Sequence, residues 1–251
     1  MTIAGSDSGG GAGVQADLKT FAALGVHGAC AVTCVTAQNP KRVLGIQPCP
    51  AKIVRLQMEA VFSEVRPAAA KTGMLYSESI IHAVADFLAR HKGTPLVVDP
   101  VMVSTSGTIL LKKSAMHALT AQLFPLARLL TPNIHEAAAL IGWTPRTVED
   151  LRRAAREIHG RFGCSVVVKG GHVRGGREAA DIFFDGREEM LLTAPFVRGI
   201  RTHGTGCTFS AAVAAELARG ERLEDAIVVA KNYVTKAIAG SRRIGRHWVF
   251  R

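Results

Sequence analysis

Short apolar runs alternate with longer amphipathic stretches along most of the chain. Six runs predict β-strands: Thr2–Ala4, Ala29–Val35, Ala68–Thr72, Leu96–Asp99, Arg128–Thr131 and Ser165–Lys169. Between them, apolar positions at helical spacing predict helices over Val14–Leu24, Lys52–Val65, Glu78–Arg90, Ser114–Leu123 and Val148–Phe162. Thr147-Val-Glu-Asp150 is a capping box for the last of these. Such alternation predicts an α/β fold, a mainly parallel central sheet with helices on both faces. Residues 180–193 break the rhythm and predict a hairpin that turns at Asp185-Gly186. Further on, Thr202–Ser210 runs into an alanine-rich helix, Ala211–Ala218. Neither a proline- or serine-rich linker nor an internal repeat divides the chain, so one domain over 1–251 is expected.

Composition narrows the class. Hydrophobic residues make up 48% and charged residues 20% of the 251, enough for a sizeable core. The net charge is +11, but Lys and Arg are spread along the chain, apart from Arg242, Arg243, Arg246 and Arg251. Aromatic residues, at 6%, are too sparse for a base-stacking platform, which favours a solvated basic surface over a nucleic-acid partner. The five cysteines form no CxxC pair, so neither a zinc site nor a disulfide framework is expected, and Cys30 and Cys34 sit in apolar sequence as small buried residues. The start resembles no secretory leader, and no apolar run reaches the roughly 18 residues of a membrane span. A reduced, cytoplasmic location without a membrane partner is the expectation.

Candidate chemistry lies at the strand ends. Polar clusters follow the predicted strands at Gly5–Gly13, Thr36–Asn39, Lys71–Met74, Asp99–Gly107, Thr131–Glu136 and Lys169–His172. Ligands of open α/β sheets bind beyond the carboxyl ends of the strands. At the mouth of the alanine-rich helix, Gly204, Thr205 and Gly206 offer backbone N–H groups and a helix dipole to an anion. Cys207 falls in the first turn, where a thiol is expected to ionise more easily. Together they suggest phosphoryl transfer. Asp99, rigid beside a proline, can bind Mg²⁺ directly or through water. Asn133 and Glu136 share one helix face and serve either a Mg²⁺–phosphate shell or a capping box, roles that can coexist. Lys169 precedes Gly170-Gly171 and can reach phosphoryl oxygens. Asp17 either compensates a helix dipole or binds a ligand amine or hydroxyl, and Gln38 offers a two-way amide contact.

Common nucleotide motifs do not explain these clusters. Gly11-Ala-Gly13-Val-Gln-Ala16 fits a dinucleotide pattern, yet residues 18–58 hold no acid for the ribose. The chain has no Gly-Lys dipeptide for a Walker A loop and no His-Arg-Asp triplet.

Taken in order, several segments resemble the hydroxymethylpyrimidine/phosphomethylpyrimidine kinases of thiamine biosynthesis, within the ribokinase-like superfamily. They are Ile3-Ala-Gly-Ser-Asp-Ser, Gly10–Phe21, Thr36-Ala-Gln-Asn39, Lys71-Thr-Gly-Met-Leu75, Val98-Asp-Pro-Val-Met102, Thr131-Pro-Asn133, Val168-Lys-Gly-Gly-His172 and Thr202-His-Gly-Thr-Gly-Cys207. The resemblance covers nearly the whole chain. It implies a three-layer ribokinase-like fold, ATP and Mg²⁺. It also implies two successive phosphorylations, of 4-amino-5-hydroxymethyl-2-methylpyrimidine to its monophosphate and then to the diphosphate. By the family pattern, Asp17 and Gln38 recognise the aminopyrimidine, with Gly5, Met74 and Val101 nearby. Asp99, Asn133 and Glu136 match the metal–phosphate region, Lys169 faces the phosphates, Gly204 to Gly206 form the anion hole, and Cys207 stands where related sugar kinases carry an aspartate base. A homodimer is a family-level expectation. Two segments depart from the pattern: Gly9-Gly10-Gly11 replaces Ser-Gly-Gly, and Ser241–Arg251 replaces a histidine- and glycine-rich terminus.

Two other readings compete. A pyridoxal/pyridoxine kinase would act on a similar hydroxymethyl heteroaromatic; Cys207 together with Gln38 favours the pyrimidine. A pyrimidine-binding protein without catalysis would have no use for Lys169, Asp99, Glu136 and Cys207 together.

Overall fold

The computed structural model describes residues 1–102, 111, 113–171, 173, 178–197, 203–245 and 247–250. Gly107, His172, Thr202, Arg246 and Arg251, all named above, lie outside the described residues.

Nine strands form one sheet: β1 (Thr2–Asp7), β2 (Cys30–Asn39), β3 (Arg42–Pro48), β4 (Ala70–Thr72), β5 (Leu96–Val98), β6 (Leu129–Leu130), β7 (Ser165–Lys169), β8 (Glu178–Phe184) and β9 (Glu189–Pro195). Their order across the sheet is β3-β2-β1-β4-β5-β6-β7-β8-β9. The six strands from β2 to β7 in that order are parallel, while β3 on one edge and β8–β9 on the other run antiparallel. These six parallel strands are the six predicted apolar runs, and β8–β9 is the predicted hairpin.

Helices cover both faces. α1 (Gly13–Ala23), α7 (Thr205–Ala218) and α8 (Leu223–Ala239) pack on one side, around Phe21, Val97, Val167, Phe183, Phe209 and Ile227. On the other side lie α2 (Ala51–Glu64), α3 (Glu78–Leu88), α4 (Lys113–Ala118), α5 (Ile134–Ile141) and α6 (Val148–Phe162), around Ile3, Met58, Val98, Leu130, Val168 and Ile182. Adjacent strand residues thus divide between two cores, as the pleat requires. The predicted capping box of α6 forms: Thr147 Oγ1 accepts the Asp150 N–H at 3.1 Å, and the Asp150 carboxylate accepts the Thr147 N–H at 3.0 Å.

Four features depart from the expected elements. Helix α4 ends at Ala118, widens into a π turn over Leu119–Leu123 and then tightens into a 3₁₀ turn over Phe124–Leu126, so Ser114–Leu123 is not one regular helix. The edge strand β3 and helix α8 were not anticipated. The arginine-rich terminal segment forms a small antiparallel pair, β10 (Arg242–Ile244) and β11 (His247–Val249). Among the described residues, no helix is long and apolar enough to cross a membrane.

Candidate active site

Pleat alternation fixes which strand residues can meet. Thr2, Lys71, Asp99, Thr131, Lys169 and Asp181 follow the phase of Val97, Leu129, Val167 and Phe183, so they occupy the α1–α7–α8 side. Beyond the strand ends on that side lies a cavity of about 640 Å³. Its lining includes Gly5, Gln38, Met74, Val101, Asp99, Asn133, Glu136, Lys169, Gly204, Thr205, Gly206 and Cys207. Residues scattered from position 5 to position 207 are thereby brought to one wall.

At the centre, Lys169 Nζ donates to Asp99 Oδ1 at 3.0 Å, and Thr131 Oγ1 donates to the same oxygen at 3.2 Å. Burial acts against charge on both partners. The Lys169 ammonium, with Lys71 behind it, nevertheless holds the Asp99 carboxyl below its usual range, and Asp99 raises Lys169 in turn. A bridge between Asn133 and Lys169 aligns the ends of β6 and β7. Burial pushes the Glu136 carboxyl up to about 7; Lys169 pulls against this and Asp99 adds to it.

The anion-binding mouth forms at the start of α7. Gly204 caps it with φ +87°, and a Cβ there would stand 1.8 Å from the Gly11 carbonyl oxygen, so only glycine fits. A Cβ on Gly206 would stand 3.0 Å from Lys169 Nζ, which places the helix mouth and the lysine against the same space.

The capping alternative for Asn133 and Glu136 is realised. Asn133 Oδ1 accepts the His135 and Glu136 N–H groups at 2.9 and 3.0 Å, and Glu136 Oε2 accepts the Asn133 N–H at 2.8 Å. The Asn133 oxygen is therefore taken up by the cap, which leaves the two carboxylates, Asp99 and Glu136, as the charged oxygen donors. Two carboxylates completed by phosphate oxygens and water is a donor set suited to Mg²⁺. Among the described residues, no cluster of three or more His, Cys, Asp or Glu forms an all-protein metal cage.

Two expectations need correction. Asp17 does not line the cavity. It is fully buried, its carboxylate accepting from Lys71 Nζ at 2.9 and 3.0 Å and from Thr2 Oγ1 at 2.6 Å. It is also the fifth residue of α1, beyond the first turn where a carboxylate answers the dipole. Lys71 is the member of this pair that reaches the cavity. Cys207 lies in the first turn of α7 as predicted, but its thiol is not acidified. Burial pushes it up to about 11, against the opposing pull of Lys71.

The sequence reading also left Asp7 and His203 without roles. The Asp7 carboxylate accepts the N–H groups of Gly9, Gly11 and Ala12 at 2.8, 3.1 and 2.9 Å and lies 3.3 Å from His203 Nε2. Burial would raise this carboxyl, but those bonds hold it below its usual value. The Gln38 amide lies 3.1 Å from the same His203 nitrogen. One buried carboxylate thus shapes the glycine loop and ties it to the residue preceding the helix mouth. The available signal was an acid at the end of a strand, one residue before a glycine run.

Comparison with known proteins places the chain in a family. Residues 7–249 match the family described as phosphomethylpyrimidine kinase. The hydroxymethylpyrimidine/phosphomethylpyrimidine kinase of Rhizobium meliloti is 48% identical over 245 residues, 97% of this chain and 91% of that one. The thiamine biosynthesis bifunctional protein of Geobacter sulfurreducens is 46% identical over 98% of this chain, which spans 50% of its length. Among solved structures, an ADP complex of Bacillus subtilis pyridoxal kinase superposes with a TM-score of 0.92 at 38% identity, covering 100% of this chain and 95% of that one. The chain therefore belongs to the phosphomethylpyrimidine kinase family, phosphotransferases with a ribokinase-like α/β fold.

Proposed function

We propose that the chain transfers the γ-phosphoryl group of ATP to the hydroxymethyl oxygen of 4-amino-5-hydroxymethyl-2-methylpyrimidine, and then phosphorylates the monophosphate to the diphosphate, for thiamine biosynthesis. The observation that carries the reading is one cavity whose lining brings an amide, Gln38, and two apolar side chains, Met74 and Val101, together with the anion-binding mouth Gly204–Gly206. Lys169, Asp99, Glu136 and Cys207 line the same cavity.

In this reading Gln38 hydrogen-bonds the aminopyrimidine edge, while Met74, Val101 and the side-chain-free surface of Gly5 flank the ring. The nucleotide lies toward Phe196, Val197, Val234 and Ile238, apolar members of the same lining. Asp99 and Glu136 would hold Mg²⁺, which when bound would shield phosphate charge. Lys169 and the N–H groups of Gly204–Gly206 stabilise the charge that develops on the transferring group.

The two steps ask different things of the protein. An alcohol must lose its proton when it attacks, whereas a phosphate monoester oxygen is already ionised near neutral pH. Cys207 is the proton acceptor of the first step. Burial favours the protonated thiol, so it must ionise for the transfer, favoured by Lys71 and by the α7 dipole. The second step runs by positioning and charge stabilisation alone.

Product analysis with ATP, Mg²⁺ and the pyrimidine alcohol tests the reading: monophosphate appears first, then diphosphate. Absence of both products would remove it. The close superposition with a pyridoxal kinase supports a second reading, pyridoxal phosphorylation in the same site. A parallel assay with pyridoxal separates the two by kcat/KM. The proposal extends to a cytoplasmic homodimer, and the five unpaired cysteines support the reducing compartment.

A further inference from the structure

Strand β8 carries one charged residue in its otherwise apolar middle. Asp181 is the direct antiparallel partner of Lys169, so the two side chains share a face at a spacing a lysine easily spans. Yet Lys169 does not turn to Asp181. Its ammonium reaches Asp99, at the end of a strand two places away in the sheet.

Asp181 is already satisfied. Its Oδ1 accepts the Gly170 N–H at 2.9 Å and the Gly171 N–H at 3.4 Å, in the turn directly after Lys169. Its Oδ2 accepts from Lys231 Nζ, on α8, at 2.7 Å; Lys231 also donates to the Ala179 carbonyl at 3.4 Å. Asp181 and Lys231 are both buried, and both border the cavity. A bare carboxylate in that position would attract the nearest ammonium, which is Lys169 across the strand.

We propose that Asp181 and Lys231 are positioning residues for phosphoryl transfer: Lys231 neutralises Asp181, so that Asp181 clamps the Gly170-Gly171 turn and leaves Lys169 directed at Asp99 and the phosphates. The proposal rests on the reading that Lys169 serves the transferring group.

The experiment compares Lys231→Met, Asp181→Asn, the double variant and Lys169→Met, measuring kcat, KM for ATP and melting temperature. Lys231→Met leaves Asp181 bare and draws Lys169 away, so kcat falls at least about tenfold while KM for ATP changes less. Adding Asp181→Asn removes the attraction while its amide oxygen still accepts the Gly170 N–H, so the double variant recovers to within about fivefold of wild type. A residue that merely packs, or that touches the nucleotide directly, gives no such rescue. A raised KM for ATP with unchanged kcat in Lys231→Met, or a double variant as impaired as the single, overturns the proposal. Should Lys231→Met not fold, the double variant decides alone, because it leaves no buried charge unpaired. Near-wild-type kcat supports the proposal, and a loss matching Lys169→Met overturns it. Lys169→Met also separates the two readings. If it turns over normally, the role given to Lys169 fails and this inference with it. If it is inactive while Lys231→Met is normal, only this inference fails.

Discussion

The Asp17 carboxylate and the Lys71 ammonium, 54 positions apart in the chain, meet at 2.9 Å with neither side chain exposed to solvent. The pair sits behind the cavity wall, with Lys71 as its cavity-facing member. Asp17 therefore lies behind the cavity wall, where it holds Lys71.

Asp17→Asn leaves Lys71 as a buried charge without its counterion. Breaking such a pair costs about 3–5 kcal/mol. Thermal or urea unfolding should register that loss, while any protein that folds keeps a KM for the pyrimidine near the wild-type value. A large rise in KM at unchanged stability would restore Asp17 to the substrate site.

Gln38 makes the opposite prediction. Gln38→Leu removes a hydrogen-bonding amide from the cavity edge and leaves polar groups unpaired there, worth about 1–3 kcal/mol in binding. The KM for the pyrimidine should rise by roughly tenfold or more on that basis, with ATP affinity little changed. Unaltered pyrimidine affinity would exclude the contact.

Glu136 combines a cap with a displaced ionisation. Its folded pKa of about 7 stands above the usual 4.5, so the folded protein holds a proton the unfolded chain has lost. The stabilising contribution is full below pH 4.5 and is lost as the pH rises through 7. Glu136→Gln keeps a neutral cap acceptor. It should flatten the fall of stability between these pH values, lower kcat and raise the Mg²⁺ requirement. Normal Mg²⁺ dependence combined with lost stability would mean that Glu136 only caps α5.

Cys207 separates the two reactions. Cys207→Ala should depress phosphorylation of the alcohol by roughly 10²–10⁴-fold, the usual contribution of a general base, and affect the monophosphate step far less. Single-turnover rates on both substrates measure this, and equal losses would assign the cysteine to shaping the anion hole. Because burial pushes the thiol up to about 11, its alkylation should be slow at neutral pH and accelerate as the pH approaches that value.

What the sequence reveals and what it hides divide along physical lines. The six parallel strands are legible because a strand buried on both faces is a continuous apolar run, and Val148–Phe162 is legible to the residue because caps mark both its ends. The edge strand Arg42–Pro48, partly exposed, lacks that signature. Helix α8 has apolar residues at Leu223, Ala226, Ile227 and Ala230, a helical spacing that could have been read. The cavity-lining members of the site are legible because they end strands. Asp17 is misread because its fate depends on a lysine three strands further along the chain. Cys207 is misread because a helix dipole is visible in sequence, whereas the depth of burial that overrides it is not.

The contact between Gly204 and the Gly11 carbonyl joins the glycine loop to the mouth of α7 through backbone alone. No side chain stands between them to yield, so if the pyrimidine binds beside the loop and the nucleotide at the mouth, as proposed, displacement of one is passed to the other. The two substrates are then linked thermodynamically, and the linkage is reciprocal: whatever factor the pyrimidine imposes on nucleotide affinity, the nucleotide imposes on the pyrimidine. Calorimetric titration of each ligand in the presence and absence of the other should return one coupling factor, different from unity. Gly204→Ala should abolish both affinities together.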